Sequence, residues 1–295
     1  MNNIGLYLAA VLIWGSTWLA ITFQLGVVPS EVSVAYRFAI ASLMLLAYCH
    51  WRGLNLRFSA GEHGWMALQG LLLFGLNYLC IYQAEGHIHS GLVAVIFSLM
   101  VFFNMLGARL FFGTPLRPAT VLGALLGIAG VALLFLPEIA RAAEAGMTLT
   151  GLLLALAGTL SASFGNLAAG RNSARGLPVV QVNAFGMLYG ALLVGGYAAL
   201  LGRPFVFDGS PAYVSSLLYL ALFGSVLAFG AYLTLLGRIG AARAGYVAVA
   251  VPLVALLLST LFEGLRWQPA MLIGLALCLA GNVLVLRTPR PTGSP

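Results

Sequence analysis

The side chains best able to do chemistry in this chain are few and they cluster. Glu85-Gly86-His87-Ile88-His89 sets a carboxylate and two imidazoles within one short stretch, the donor types that hold zinc or relay protons. No further ligand follows at a telling spacing, so the stretch reads as a polar turn at an interface, with no metal and no cofactor. Just upstream, Asn77, Tyr78 and Tyr82 fall on one stripe at three-to-four spacing. Amides and phenols inside an otherwise apolar run either bind a polar solute or glue helices together. Trp14 and Trp18 flank Gly15-Ser16-Thr17 and stack on one helical face. They either pack between helices or wall a cavity. Arg37, one turn inside its own apolar run, either snorkels outward or serves as an outer gate or carboxylate partner. Neither HExxH nor GxSxG occurs, so no enzyme is expected and no residue is assigned as catalytic. Cys49, Cys80 and Cys278 lack metal-ligand spacing and read as small apolar packing residues.

The elements that must position these groups are membrane helices. Hydrophobic residues make up 61% of the chain and charged residues 7%, with a mean hydropathy of +1.02, whereas about a quarter of a soluble domain is charged. A spanning helix needs roughly 20 apolar residues. Ten segments qualify: 4–27, 32–51, 64–84, 88–112, 118–136, 149–170, 178–201, 212–237, 242–262 and 268–287. The fold class is therefore all-α integral membrane. The first segment is not a secretory signal, because Met1-Asn2-Asn3 carries no positive charge and the apolar run is too long.

The net charge of +7 comes from 14 arginines, and they sort by side. With the N-terminus inside, Arg52, Arg57, Arg109, Arg117, Arg171, Arg175, Arg238, Arg243, Arg287 and Arg290 fall inside, against Arg141, Arg203 and Arg266 outside. That bias places both termini in the cytoplasm of a bacterial inner-membrane protein. The charge thus reports topology, not a nucleic-acid partner. The expected partners are the lipid bilayer and a small-molecule solute, with a monomer as the working unit.

The two halves repeat each other. Gly5-Leu6-Tyr7-Leu8-Ala9 returns as Gly151-Leu152-Leu153-Leu154-Ala155, and Leu73-Phe74-Gly75 as Leu222-Phe223-Gly224. Gly123 and Gly130 match Gly274 and Gly281. The domains are a first five-helix repeat over 1–136, an outer linker over 137–148 bearing Glu138, Arg141 and Glu144, a second repeat over 149–287, and a cytoplasmic tail over 288–295. Five is odd, so the repeats are inverted. Their loops agree: those with Glu31 and Glu85 have basic counterparts, with Arg171 and Arg175 and with Arg238 and Arg243. Inverted repeats supply two nearly equivalent packings around a midplane site, the requirement for alternating access. In the second half Phe164, Asn166, Asn183 and Tyr232 join Trp14, Trp18, Asn77, Tyr78 and Tyr82 as candidate cavity residues. Pro252 breaks the ladder of the ninth segment and is the candidate hinge, while its repeat partner is Val101, so the halves are not mechanically equivalent.

These motifs resemble the drug/metabolite transporter superfamily, in its ten-helix EamA-type branch, over essentially the whole chain. The resemblance rests on Leu12-Ile13-Trp14-Gly15-Ser16, Tyr36-Arg37-Phe38, Ala242-Arg243-Ala244, Val251-Pro252-Leu253, Phe262-Glu263-Gly264 and Gly281-Asn282-Val283. The first half departs from that pattern, with Val101 and Phe112 where a proline and a glutamate are expected. The resemblance implies export of amino acids, drugs or other metabolites, and points to an aromatic amino acid exporter of the YddG type. Proton-driven pumps usually keep an acid inside the membrane. Glu31, Glu85 and Glu263 all fall near segment ends, so facilitated diffusion is expected over proton-coupled multidrug efflux or a small-solute channel.

Overall fold

With no water in the hydrocarbon core, runs this apolar satisfy their backbone groups as helices. A computed structural model describes residues 2–113, 115, 118–139, 145–244 and 246–287, and these contain helices and no strand. α1 spans Asn3–Thr22 and α2 Ser30–Trp51. α3 is continuous from Ala60 to Glu85, with a π-helical turn, Gly70–Leu76, between Ala60–Gln69 and Asn77–Glu85. α4 consists of Ser90–Ser98 and Met100–Phe112 on either side of Leu99. α5 spans Pro118–Ile139, α6 Ala145–Ala174 and α7 Val179–Leu200. α8 repeats the build of α3: Pro211–Tyr219, a π-helical turn over Leu220–Leu227, then Ala228–Ala244. α9 is Tyr246–Phe262 and α10 Pro269–Arg287.

Among the described residues, nine of these helices are long and apolar enough to cross a membrane, and α9 is a shorter apolar helix. At 1.5 Å per residue α9 rises about 26 Å, close to the roughly 30 Å hydrocarbon core. Leu43, Leu110, Leu125, Ile128 and Leu257 point outward and are exposed, as lipid-facing side chains must be. The protein is an all-α integral membrane protein of ten spanning helices.

Several boundaries differ from the sequence expectation; α8 runs to Ala244 rather than residue 237, and α9 starts at Tyr246 rather than residue 242. α1 stops at Thr22 rather than residue 27, because Gln24 turns inward. Its Nε2 donates to the Tyr213 carbonyl at 2.9 Å and to Ser216 Oγ at 2.5 Å, and Gly26 then takes a left-handed φ of 121°. Helix also runs into both ends of the predicted linker, through Ile139 and from Ala145. Residues 140–144, with Arg141 and Glu144, lie outside the described residues, as do Arg117 and the predicted tail, 288–295; Glu138 lies within α5, its side chain outside the description.

The halves pack around a two-fold relation. α2 packs along α7, α4 along α9 and α5 along α10, each helix with its own repeat counterpart. α1 lies against α8 and α9 just as α6 lies against α3 and α4. The glycines of α5 and α10 make the relation explicit. A Cβ on Gly130 would stand 2.5 Å from the Gly274 carbonyl oxygen, and one on Gly281 the same 2.5 Å from that of Gly123. The repeat equates Gly123 with Gly274 and Gly130 with Gly281, so exchanging the halves converts one contact into the other. Only two helices running in opposite directions can do that. These are two inverted five-helix repeats.

Candidate functional site

The site grows from the two π turns. Each lies at the repeated Leu-Phe-Gly motif, and its wider pitch sets carbonyls off the usual i−4 ladder, where they become acceptors for a neighbouring helix. In α8 the Gly224 carbonyl accepts the Trp14 indole N–H at 3.1 Å. In α3 the Leu72 carbonyl accepts the Ser161 hydroxyl at 2.8 Å. The first helix of each repeat therefore docks on the π turn of the other. Gly224 must be small for this, since a Cβ there would meet Thr17 Cγ2 at 2.8 Å.

From Trp14 a continuous aromatic series crosses the bundle. Trp14 lies 5.2 Å from both Phe229 and Tyr232, Phe229 meets Phe74 at 6.4 Å, and Phe74 meets Phe38 at 5.3 Å. Phe38 then touches Tyr78 at 4.8 Å. These edge-on and tilted arrangements suit ring quadrupoles. Trp14, Tyr78 and Tyr232 were expected here from sequence; Phe38, Phe74 and Phe229, which connect them, were not. Trp18 joins from α1 through an edge contact to Phe97 at 5.2 Å.

Arg37 closes the series at one end. The guanidinium stands 4.5 Å from the Tyr78 ring and 5.2 Å from that of Phe38, with Nε 3.4 Å from Ser225 Oγ. It is 1% exposed, so it does not snorkel: stacking on two rings gives it a desolvated seat. Glu31, also buried, pairs instead with Arg203 at 3.6 Å. Along α3 the stripe from Tyr78 continues through Tyr82 to Glu85, and Arg37 interacts electrostatically with all three. Tyr82 is fully buried and Glu85 8% exposed. The Tyr82 hydroxyl faces the Arg37 guanidinium, while Asn77 Oδ1 and both carboxylate oxygens of Glu85 are enclosed without a hydrogen-bond partner. Asn77 Nδ2 donates within its own helix to the Leu73 carbonyl at 3.1 Å.

The sequence puts Glu85 in a surface turn; the structure encloses it, because the neighbouring segment folds over it. Glu263, at the end of α9, accepts from Ser90 Oγ at 2.6 Å, from the Ser90 N–H at 3.3 Å, and from the Ser259 hydroxyl. Ser259 Oγ in turn accepts the Gly91 N–H at 2.8 Å. A carboxylate and a hydroxyl thus cap the start of α4. With Gln24 on α8 and Arg203 on Glu31, they tie shut the end of the bundle that carries the acids. Residues Ser90–Ile96 of α4 are all buried, whereas Met100–Leu110 are mostly half-exposed or exposed.

Other expected site residues lie elsewhere. Phe164 lines a cleft of about 500 Å³ with Trp65, Leu72, Phe111 and Arg171, and Phe111 is 63% exposed, so this cleft faces lipid. Asn166 Nδ2 reaches Met100 Sδ at 3.1 Å. Asn183 Oδ1 accepts from Gln69 Nε2 at 3.0 Å, and Gln69 Oε1 accepts from Asn172 Nδ2 at 3.1 Å, a buried amide chain joining α7, α3 and α6. Pro252 is buried inside α9, beside the crossing where a Cβ on Gly15 would meet Val254 Cβ at 2.5 Å. Val101 has no proline, yet α4 is broken at Leu99, whose N–H bonds to Ile96 rather than one residue further back. Both halves therefore carry an interruption, built by different means.

Comparison with known proteins agrees with this architecture. A solved crystal structure of a protein 23% identical in sequence superposes with a TM-score of 0.67, covering 97% of this chain and 96% of the other. The inner membrane transporter YedA of Escherichia coli (strain K12), itself uncharacterized, is 30% identical over 262 residues, covering 87% of this chain and 81% of its own. Protein PagO of Salmonella typhimurium is 23% identical over 88% of this chain and 84% of its own. The EamA-like transporter family matches twice, over residues 2–136 and 149–287. The chain belongs to the EamA-like transporter family, and so to the drug/metabolite transporter superfamily.

Proposed function

We propose that this membrane transporter exports small amphipathic metabolites, amino acids including aromatic ones among them, across the bacterial inner membrane by alternating access. The observation that carries this reading is the aromatic series from Tyr78 through Phe38, Phe74, Phe229 and Trp14 to Tyr232, laid across the interface of the two repeats. Its ring faces suit an apolar or aromatic side chain, and the enclosed Asn77 and Tyr82 suit polar groups. Inverted repeats around such a midplane wall can exchange which end is closed. The arginine-rich end is assigned to the cytoplasm, so the state described is closed toward the outside. Facilitated diffusion is favoured over proton coupling because Glu31, Glu85 and Glu263 lie at helix ends, although Glu31 and Glu85 are buried there.

The test is counterflow. Liposomes holding the purified protein are preloaded with unlabelled phenylalanine and given labelled phenylalanine outside, with no ion gradient. Saturable exchange, reduced several-fold by Trp14→Ala or Tyr78→Ala, supports the reading. Absence of exchange with every aromatic and aliphatic amino acid offered overturns the substrate class.

A further inference from the structure

A cleft of about 500 Å³ opens to lipid between α3, α4 and α6, outside the aromatic series. Two of its walls are helical stripes: Phe164, Leu167 and Arg171 on α6, and Trp65, Leu68 and Leu72 on α3. At one end the Arg171 guanidinium stands 4.2 Å over the Trp65 ring, and toward the other Gly165 packs against Leu73. The stripes therefore lie side by side along antiparallel helices. From Arg171 to Phe164 the helix rises about 10 Å. Phe111 of α4 meets Phe164 edge-on at 6.0 Å and forms the third wall. The cleft does not open inward. The Ser161 hydroxyl bonds the Leu72 carbonyl at 2.8 Å and Gly165 sits against the Leu73 backbone, so α3 and α6 close its floor. The result is an apolar groove whose one charged side chain, Arg171, stands at the arginine-rich end.

That charge is available to a ligand. The Arg171 hydrogen bond to Asn172 Oδ1 is long, at 3.5 Å. Glu62, one turn from Trp65, has its carboxylate held by the Ser59 N–H and hydroxyl at 2.6 and 2.7 Å, and His63 Nδ1 is bonded to the Tyr189 hydroxyl at 2.8 Å. Arg109 and Arg175, both exposed, add positive charge at the same end. We propose that the cleft binds an anionic phospholipid of the cytoplasmic leaflet, with its phosphate on Arg171 and one acyl chain along the apolar groove. The planar guanidinium offers paired N–H donors to phosphate oxygens, and stacking on Trp65 holds that fork at the membrane interface. Basic pockets between helices on the cytoplasmic side suit such headgroups. A cavity of about 150 Å³ holds one benzene, so the cleft takes a chain of about three times that bulk and not a whole lipid. A solute in transit is the poorer occupant, because the closed floor separates the cleft from the aromatic series. The proposal does not depend on which solute is carried.

Native mass spectrometry of the full-length protein in detergent tests it. The protein is titrated with palmitoyl-oleoyl phosphatidylglycerol and, separately, with phosphatidylcholine bearing the same chains. One phosphatidylglycerol should stay bound at concentrations where phosphatidylcholine does not. Arg171→Ala should weaken that binding about fivefold, the worth of one arginine near an anionic headgroup. Arg175→Ala removes an equal charge outside the cleft and should leave binding nearly unchanged. Leu68→Trp is the second variant, should Arg171→Ala fail to fold. It keeps the guanidinium, fills the groove from the lipid side, where Leu68 is exposed, and should abolish retention of the lipid. The proposal is overturned if the two lipids bind alike, if Arg175→Ala weakens binding as much as Arg171→Ala, or if Leu68→Trp retains the lipid. Displacement of the bound lipid by added phenylalanine would also overturn it, making the cleft a route for the solute.

Discussion

The Trp14 indole donates its N–H to the Gly224 carbonyl at 3.1 Å, where α8 widens into its π turn and no side chain shields the acceptor. This bond fixes the wall of the aromatic series to the second repeat. Trp14→Phe keeps ring contact with Phe229 and Tyr232 but leaves the carbonyl without its donor. The expected cost is about 1 kcal/mol in a detergent melt, with phenylalanine exchange slowed several-fold. Unchanged exchange with lowered stability would reduce Trp14 to a packing role.

Pro252 lies buried within α9 and supplies no N–H to the Ala248 carbonyl. Pro252→Ala restores a hydrogen bond to the helix, so the melt should be unchanged or raised by up to about 1 kcal/mol. Turnover should nevertheless fall several-fold at constant KM, because the variant closes the gap in the helix ladder where α9 can flex and leaves the solute contacts alone. A rise in KM at constant turnover would place Pro252 at the solute instead.

How much of this was legible in the sequence differs by feature. Ten segments, their inversion and the glycine frame of α5 and α10 could be read because each is set by local composition and by the repeat. Trp14, Tyr78 and Tyr232 were legible because polar and amphipathic rings stand out in apolar runs. Phe38, Phe74 and Phe229 were not, since a phenylalanine in a membrane helix looks the same facing lipid or a partner. Glu85 was misplaced because it ends a helix, and only the fold shows that Ser90, Ser259 and Glu263 close over that end. The break at Leu99 carries no proline or glycine and had no sequence signal.

The amide chain Asn172–Gln69–Asn183 joins three helices away from the rings. Gln69→Leu leaves two buried amides without their partner, and about 2 kcal/mol of stability should be lost. KM for phenylalanine should not move. A change in KM exceeding the stability loss would return Asn183 to the solute-binding set.

Gly91 is where α4 touches α9 at the closed end. A Cβ there would stand 2.8 Å from Leu256 Cα and 3.0 Å from the Ala255 carbonyl oxygen. Both are backbone atoms, which cannot rotate away, so Gly91→Ala wedges the two helices apart. Overpacking of this kind costs about 1–3 kcal/mol, and it falls on the closed arrangement because the contact is made there. Each 1.4 kcal/mol shifts the balance about tenfold, enough to populate a state open at the acidic end. Ser90→Cys in a background without other cysteines reports it, since Ser90 is fully buried in the closed state. Labelling of that cysteine by a membrane-impermeant maleimide from outside should rise about tenfold when Gly91→Ala is added. If labelling stays at the parental level while the protein remains folded, the α4–α9 contact is not the gate.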